Sequence, residues 1–154
     1  MRRPTLIGLP FDAASSFRRG AAGAPPLIRA ALASPSSNQW TESLVDLGAP
    51  GRIADAGDMD LTDTAAAREK IEAGIQGVLA GGGSPLVLGG DHSVTYPVLR
   101  AMKRHFTDLT LVQFDAHPDL YDVFEGDRFS HACPFARIME EGLVHGSSRS
   151  ASGP

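Results

Sequence analysis

The chain has few of the features that mark secreted, membrane-spanning or nucleic-acid-binding proteins. It has one cysteine among 154 residues and cannot form an internal disulfide, which is expected in a reducing cytosol. Its formal net charge is −4 and no basic run is longer than two residues, which argues against a nucleic-acid partner. No apolar run approaches the roughly 18 residues of a membrane span, and the first residues lack the apolar run of a signal peptide. We therefore expect a soluble, cytoplasmic protein without a membrane partner.

Hydrophobic residues make up 42% of the chain and recur in patterns that alternate between strands and helices. Strands are predicted at 5–9, 86–89 and 109–114, with weaker candidates at 43–47 and 52–55. Helices are predicted at 25–32, at 62–80, from about 97 onward, and over a last stretch that ends near 142. A strand–helix–strand order favours a parallel sheet with right-handed crossovers, which would place the chain ends after Leu88 and Phe114 side by side.

Two of the predicted strands end in residues that can bind a metal ion. Asp115, His117 and Asp119 follow one strand, and Asp91 and His92 follow the other. Side chains two residues apart in an extended segment point to the same side, so the first three would face together. The carboxyl ends of parallel strands share one edge of a sheet, where ligands bind. Asp-x-His-x-Asp could instead be a polar loop leaving a buried strand, but the second pair in the same position favours a metal site.

Three segments together resemble a known family. Gly-Gly-Asp-His-Ser at 89–93, Phe-Asp-Ala-His-Pro-Asp at 114–119 and Ser-His-Ala-Cys-Pro-Phe at 130–135 resemble the ureohydrolases, the family of arginase and agmatinase, in order and spacing. Gly-Leu-Pro-Phe-Asp at 8–12 looks like the first strand and loop of that family, and Tyr121 after Asp119 looks more like the agmatinase branch. The resemblance covers residues 4 to about 143. It implies a three-layer α/β/α fold around a mostly parallel sheet, usually assembled into trimers or hexamers.

The resemblance also implies a chemistry. Family members hydrolyse a guanidino group to urea at a centre of two manganese ions. His92, Asp115 and Asp119 would hold one ion, Asp115 would bridge to a second ion that His117 also binds, and Asp91 would orient its neighbours. His131 matches the active-site histidine that binds substrate or passes a proton to the leaving amine. The expected reaction is conversion of agmatine to putrescine and urea, with arginine, guanidinobutyrate or another small guanidino cation as the alternative substrate.

The sequence also departs from the family pattern. The third metal motif of the family, an Asp-x-Asp pair followed by Asp-Pro, is absent, and so is its guanidinium-binding glutamate. We therefore interpret 1–143 as the N-terminal part of a ureohydrolase domain, and 144–154, rich in Ser and Gly, as a flexible tail foreign to the fold. The second ion would keep too few ligands, so we expect a truncated form of low or no activity. The alternative is a non-catalytic relative or interaction module that binds at most one metal ion.

Overall fold

The computed structural model describes residues 2–145, which form a parallel sheet with helices on both faces. The strands are β1 (Arg3–Gly8), β2 (Ala54–Asp58) and β3 (Gly83–Leu88), in the order β2-β1-β3. β1 and β3 pair in unbroken parallel register from Arg3 opposite Gly83 to Gly8 opposite Leu88. The ends of β1 and β3 therefore lie side by side at the edge of the sheet where the predicted ligands follow.

Within residues 2–145, four helices accompany the sheet: α1 (Ala24–Leu32), α2 (Ala67–Ala80), α3 (Thr95–Lys103) and α4 (Pro134–Glu140). α1 and α4 each carry proline in the first turn, where the missing N–H has no helical partner to lose. Short 3-10 helices at Ala21–Gly23 and His92–Val94 precede α1 and α3. Among the described residues, no helix is long and apolar enough to span a membrane.

The main core lies between the sheet and the helices α2 and α3. Ile7 and Leu9 of β1 and its exit are buried there against Ile71, Ile75 and Leu79 of α2. On the opposite face of β1, a Cβ on Gly8 would lie 1.8 Å from Asp58 Oδ1 and 3.0 Å from Nη1 of Arg29, which reaches this face from α1. A helix layer on each side of the sheet confirms the predicted α/β/α class, which follows because a sheet with two apolar faces must bury both.

Most predicted elements are confirmed with shifted ends. The weak candidate at 52–55 becomes β2, two residues further on, and α2 begins at Ala67 rather than at 62 or 63. Asp63 instead accepts a hydrogen bond from Ala66 N at 3.4 Å in the bend before the helix. The candidate strand at 43–47 is wrong, because that stretch forms a turn-rich loop with one isolated antiparallel bridge between Trp40 and Asp46.

The predicted strand at 109–114 is also wrong for the part of the chain that the structure describes. Within residues 2–145 β3 is hydrogen-bonded to β1 only, and no strand is formed at 109–114. Leu111 nevertheless packs against a second apolar cluster, which contains Tyr96 and Leu99 of α3 and Phe135 and Ile138 of α4. The apolar pattern therefore marked a segment that contacts the core, but a strand also requires hydrogen-bonding neighbours.

The predicted tail at 144–154 begins with two residues that contact the fold. Val144 packs against the second apolar cluster, and His145 N donates to Leu109 O at 2.9 Å. The remaining residues of the predicted tail, 146–154, lie outside the described residues, so the proposed boundary at 143 stays a prediction.

Candidate metal centre

The first half of the site is the turn at 89–93, which we call tip 1. It leaves β3 so close to the loop after β1 that a Cβ on Gly90 would lie 1.8 Å from Phe11 O, so only glycine fits. Asp91 N donates to the same carbonyl at 2.8 Å. The close approach of two backbones therefore fixes where His92 begins its short helix.

Asp91 is buried and holds tip 1 together. Its carboxylate accepts hydrogen bonds from Ala14 N and Ser93 N, each at 3.0 Å, and from the hydroxyls of Ser15 and Ser93. The Ser93 N bond caps the 3-10 helix that carries His92. With both oxygens engaged in this way, Asp91 orients its neighbours, as the sequence predicted, and does not join the ligand cluster described below.

The second half of the site is the exit at 115–119, which we call tip 2. Asp115 Oδ1 accepts from His117 N at 2.9 Å, and buried Gln113 donates through Nε2 to His117 O at 2.9 Å. Asp119 has a φ of 47°, in the left-handed region that few residues other than glycine adopt, and its carbonyl accepts from Phe135 N at the start of α4 at 3.1 Å. α4 thus anchors the end of tip 2.

The two tips bring His92, Asp115 and Asp119 together. One ligand atom from each lies within 4.8 Å of the other two. His92 Nδ1 is 2.5 Å from Asp119 Oδ2 and 3.4 Å from Asp115 Oδ2. Two carboxylates facing one imidazole, with no thiolate, form a donor set that suits a hard or borderline divalent ion such as Mn²⁺. The residues present therefore fit the expected metal.

His117, the fourth predicted ligand, lies at the margin of this cluster. Its side chain is 80% exposed, and its Nδ1 is 3.7 Å from Asp115 Oδ1. Asp115 consequently has one oxygen toward His92 and the other toward His117. A carboxylate placed in this way could offer one oxygen to each of two ions, whereas the ligand cluster found within residues 2–145 is His92, Asp115 and Asp119.

His131, the predicted catalytic residue, lines the same cavity, of about 690 Å³, as the ligand cluster. Its Nδ1 is 2.9 Å from Ala14 O, and because a carbonyl can only accept, Nδ1 carries the proton. Nε2 is then the nitrogen that can exchange a proton with a ligand. The ring also stacks edge-on against Phe124, with centroids 5.8 Å apart. Since Asp91 holds Ala14, tip 1 orients His131 as well as His92.

Arg137 contributes to the site in a way that the sequence analysis missed. Its guanidinium is buried on α4 and donates to the carbonyl of Asp122 at 3.1 Å and to the carboxylate of the same residue. The hydrogen bond from Arg137 holds the pKa of Asp122 below its ordinary value. Arg137 therefore anchors the loop that follows tip 2. Its signal in the sequence was an arginine beside the apolar positions Phe135 and Ile138 of a predicted helix.

Cys133, buried at the start of α4, has no visible role in this chemistry. Burial raises the pKa of its thiol, which keeps it protonated at neutral pH, as expected for a small core side chain.

A parallel sheet with helix layers, in which the turn after β3 and the segment 115–119 bring histidine and aspartate together, defines an α/β protein with a candidate metal site. Comparison with known proteins narrows that class: the model of the Arginase family matches residues 2–152, and the chain belongs to this family. The residues that carried the resemblance, on tip 1, on tip 2 and before α4, all lie within the match.

Individual relatives agree in sequence and in structure. The chain is 42% identical over 149 residues to the mitochondrial arginase of Medicago truncatula and 35% identical over 143 residues to the agmatinase of Serratia proteamaculans. The structure of the Medicago arginase superposes with a TM-score of 0.85 at 39% identity. A structure of Trypanosoma cruzi formiminoglutamase with Mn²⁺ superposes with a TM-score of 0.79 at 31% identity.

The match covers nearly all of this chain but only part of each relative. It spans 91% of this chain and 44% of the Medicago arginase sequence, and 90% of this chain and 46% of the Serratia agmatinase. The structural matches span 93% of this chain and 48% or 49% of the compared chains. The chain thus spans about half the length of its relatives.

Proposed function

We propose that the site serves the manganese-dependent hydrolysis of a linear guanidino compound, with agmatine, which would give putrescine and urea, as the first substrate to test. The observation that carries the proposal is the convergence of His92, Asp115 and Asp119 beside His131 in one cavity. Family membership supports it, since the relatives include arginases, agmatinases and a formiminoglutamase with Mn²⁺.

In this proposal His92, Asp115 and Asp119 hold one ion, and Asp115 and His117 contribute to a second. Two divalent ions supply positive charge that activates water and stabilises the negative charge that develops when a guanidino carbon is attacked. The chain itself provides the orientation: Asp91 and the carbonyl of Asp119 fix the two tips, so that the carboxylates face His92 before any ligand arrives.

His131 is proposed to serve the leaving group. Hydrolysis breaks the bond between the guanidino carbon and the nitrogen that carries the alkyl chain, and that nitrogen must gain a proton to leave as an amine. Ala14 O fixes the proton of His131 on Nδ1, so Nε2 is the atom that can take up a proton and deliver it to the departing nitrogen. Tyr121 and Phe124 line the same cavity beside His131.

Two substrates deserve a direct comparison. Tyr121 lines the cavity and resembles the agmatinase branch, which favours agmatine. The higher identity to an arginase, 42% against 35% for an agmatinase, favours arginine as the second candidate. The charge of Asp122, which follows tip 2, gives little guidance on the substrate, since its carboxylate is paired with Arg128 and Arg137.

We propose further that the chain by itself has low activity or none, and that an active form is a cytoplasmic homo-oligomer of longer chains. The second ion position has two ligands among the described residues, and the match covers less than half of the relatives' sequences. The alternative is a chain that binds one ion and does not turn over substrate, and the same two observations support it.

The test is release of urea from agmatine, arginine and guanidinobutyrate with added Mn²⁺, on soluble, unaggregated protein and on a full-length relative assayed in parallel. Loss of about 4–6 kcal/mol of stabilisation by the second ion predicts turnover about three to four decades slower than that of the relative. The residual activity should disappear in the Asp115→Ala and His131→Ala variants. The proposal would be contradicted if activity survived in both variants. It would also be contradicted if an oligomeric form of the protein hydrolysed no guanidino compound.

A further inference from the structure

A tight turn lies in the loop between tip 2 and His131. Phe124 N donates to Asp127 O at 3.1 Å and Asp127 N donates back to Phe124 O at 3.0 Å, so these two residues form an isolated antiparallel pair. Between them Glu125 and Gly126 have φ values of 50° and 82°. Positive φ at both central residues is characteristic of a type I′ turn, which joins an antiparallel pair through two residues. We call residues 124–127 the aromatic turn.

The aromatic turn is fixed to the fold on both sides. Asp127 O accepts from the thiol of Cys133 at the start of α4, at 3.6 Å. On the other side Tyr121 N donates to Ala132 O at 3.2 Å. Glu125 has a left-handed φ, which is uncommon for a residue other than glycine or asparagine. The surrounding contacts therefore impose the turn on a sequence that does not favour it.

The turn directs an apolar ring inward. Phe124 is half-buried, although the other residues of the aromatic turn are exposed. Its ring centroid lies 5.4 Å from that of Tyr121 and 5.8 Å from that of His131, and the planes of Phe124 and His131 are 83° apart. Edge-to-face pairs with centroids about 4.5–7 Å apart are favourable. Phe124 therefore supports the imidazole of His131 through a contact with its ring.

His131 depends on such support, because its polar contacts lie at one nitrogen. Nδ1 is 2.9 Å from Ala14 O and 3.2 Å from Ser130 Oγ, and within residues 2–145 Nε2 has no hydrogen-bond partner. An imidazole bound at a single atom can still rotate. In an orientation that leaves Ala14 O, the ring proton is free to move from Nδ1 to Nε2.

We propose that Phe124, held by the aromatic turn, is a positioning residue that keeps His131 protonated on Nδ1 and leaves Nε2 available to a ligand. Ala14 O and Ser130 Oγ fix one end of the imidazole, and the edge-on contact with Phe124 restricts its rotation. The orientation rests on contacts within the chain. Its use in delivering a proton to a leaving amine rests on the proposed function, which the inference deepens.

The first experiment measures the tautomer of His131 by ¹⁵N NMR of its imidazole, on the full chain with a chelator. A pH of about 8.5 keeps an ordinary histidine neutral. The signal lost in His131→Gln assigns the residue, and we expect the Nδ1–H form to predominate. Phe124→Ala should lower the ratio of Nδ1–H to Nε2–H about 2-fold to 10-fold, the range that one aromatic contact contributes. Phe124→Tyr, which keeps the ring, should retain the ratio.

The second experiment changes the turn and leaves the aromatic ring in place. A Cβ on Gly126 would meet nothing within 4 Å, so Gly126→Ala acts only by straining the backbone at its φ of 82°. Gly51→Ala is the matched control, because Gly51 lies in a turn before β2 with a φ of 81° and equally open surroundings. Both variants should lower the melting temperature by similar amounts, but only Gly126→Ala should lower the tautomer ratio of His131.

An unchanged ratio in Phe124→Ala would overturn the inference, and so would a predominant Nε2–H form in the unsubstituted chain. Equal falls in Gly126→Ala and Gly51→Ala would also overturn it, because a general loosening of the fold would then explain the result. Neither experiment uses a substrate or a metal ion. If the orientation were confirmed and no guanidino compound released urea, the inference would stand and the proposed function alone would be contradicted.

Discussion

Tip 1 and tip 2 both supply ligands to the candidate metal centre, but they are built differently. Tip 1 follows a strand that is paired along its whole length, and Asp91 fixes it with hydrogen bonds to residues on both sides. Tip 2 follows a segment without strand partners among the described residues, and its hold on the fold comes from Gln113 and from the contact of Asp119 with α4. His92 is therefore held facing the two carboxylates, while the side chain of His117 is 80% exposed.

The difference teaches that candidate ligands converge where the described fold holds the segments that carry them. His92, Asp115 and Asp119, which are held through β3 and α4, converge. His117, which lies on the exposed side of tip 2, does not.

The largest expected effect is on Mn²⁺ binding by His92 of tip 1 and His117 of tip 2. His92→Ala should weaken Mn²⁺ binding about 10-fold or more, because even residues that only support metal ligands contribute about that much. His117→Ala should weaken it less than about 3-fold, since His117 approaches only Asp115. Calorimetric titration of both variants with Mn²⁺ measures the difference. Equal losses would show that tip 2 is as well formed as tip 1 in solution.

The next largest effect is on the free energy of unfolding of the metal-free protein. Asp91→Ala should lower the free energy of unfolding by about 2–3 kcal/mol, because Ala14 N and Ser93 N lose their acceptor. Asp115→Ala should change it by less than about 0.5 kcal/mol, since that carboxylate is oriented for a ligand and is partly exposed. Urea denaturation in the presence of a chelator tests both. A larger loss for Asp115→Ala would reverse the roles assigned to the two tips.

A smaller effect is expected from Gln113→Leu, which keeps the buried volume and removes the hydrogen bond to His117 O. The free energy of unfolding should fall by about 1 kcal/mol. Amide hydrogen exchange should accelerate at 115–119 and remain unchanged at 89–93. If exchange accelerated equally in both tips, they would form one cooperative unit.

The smallest expected effect is a difference in pKa between the two tyrosines of the chain. Tyr96 lies on α3 behind tip 1, and Tyr121 follows tip 2. Burial, helped by the hydrogen bond to Glu141, raises the pKa of Tyr96 from 10.0 to about 12. The fold thus favours the protonated phenol, and the resulting stability is complete below pH 10 and is lost as the pH rises through about 12. Near-UV titration of Tyr121→Phe, which retains only Tyr96, should show this midpoint. A midpoint near 10 would mean that Tyr96 is solvated.

The sequence by itself determined the fold class and the residues of the candidate site. Apolar runs followed by Gly-Gly-Asp-His and by Asp-x-His-x-Asp predicted two chain segments that end at one edge of a parallel sheet, and the structure brings His92, Asp115 and Asp119 together there. These patterns are local, because side-chain alternation and strand-end chemistry depend on neighbouring residues. Whether they bind metal stays a prediction until it is measured.

Only the tertiary structure decided what depends on contacts between distant residues. It showed that Ala14 O orients His131, that Arg137 anchors the loop after tip 2, and that 109–114 forms no strand within the described residues. None of these could be predicted from a local pattern. A backbone carbonyl has no side-chain signal, and a buried arginine is recognised by the carbonyl it meets. A strand exists only when another backbone lies beside it to accept and donate its hydrogen bonds.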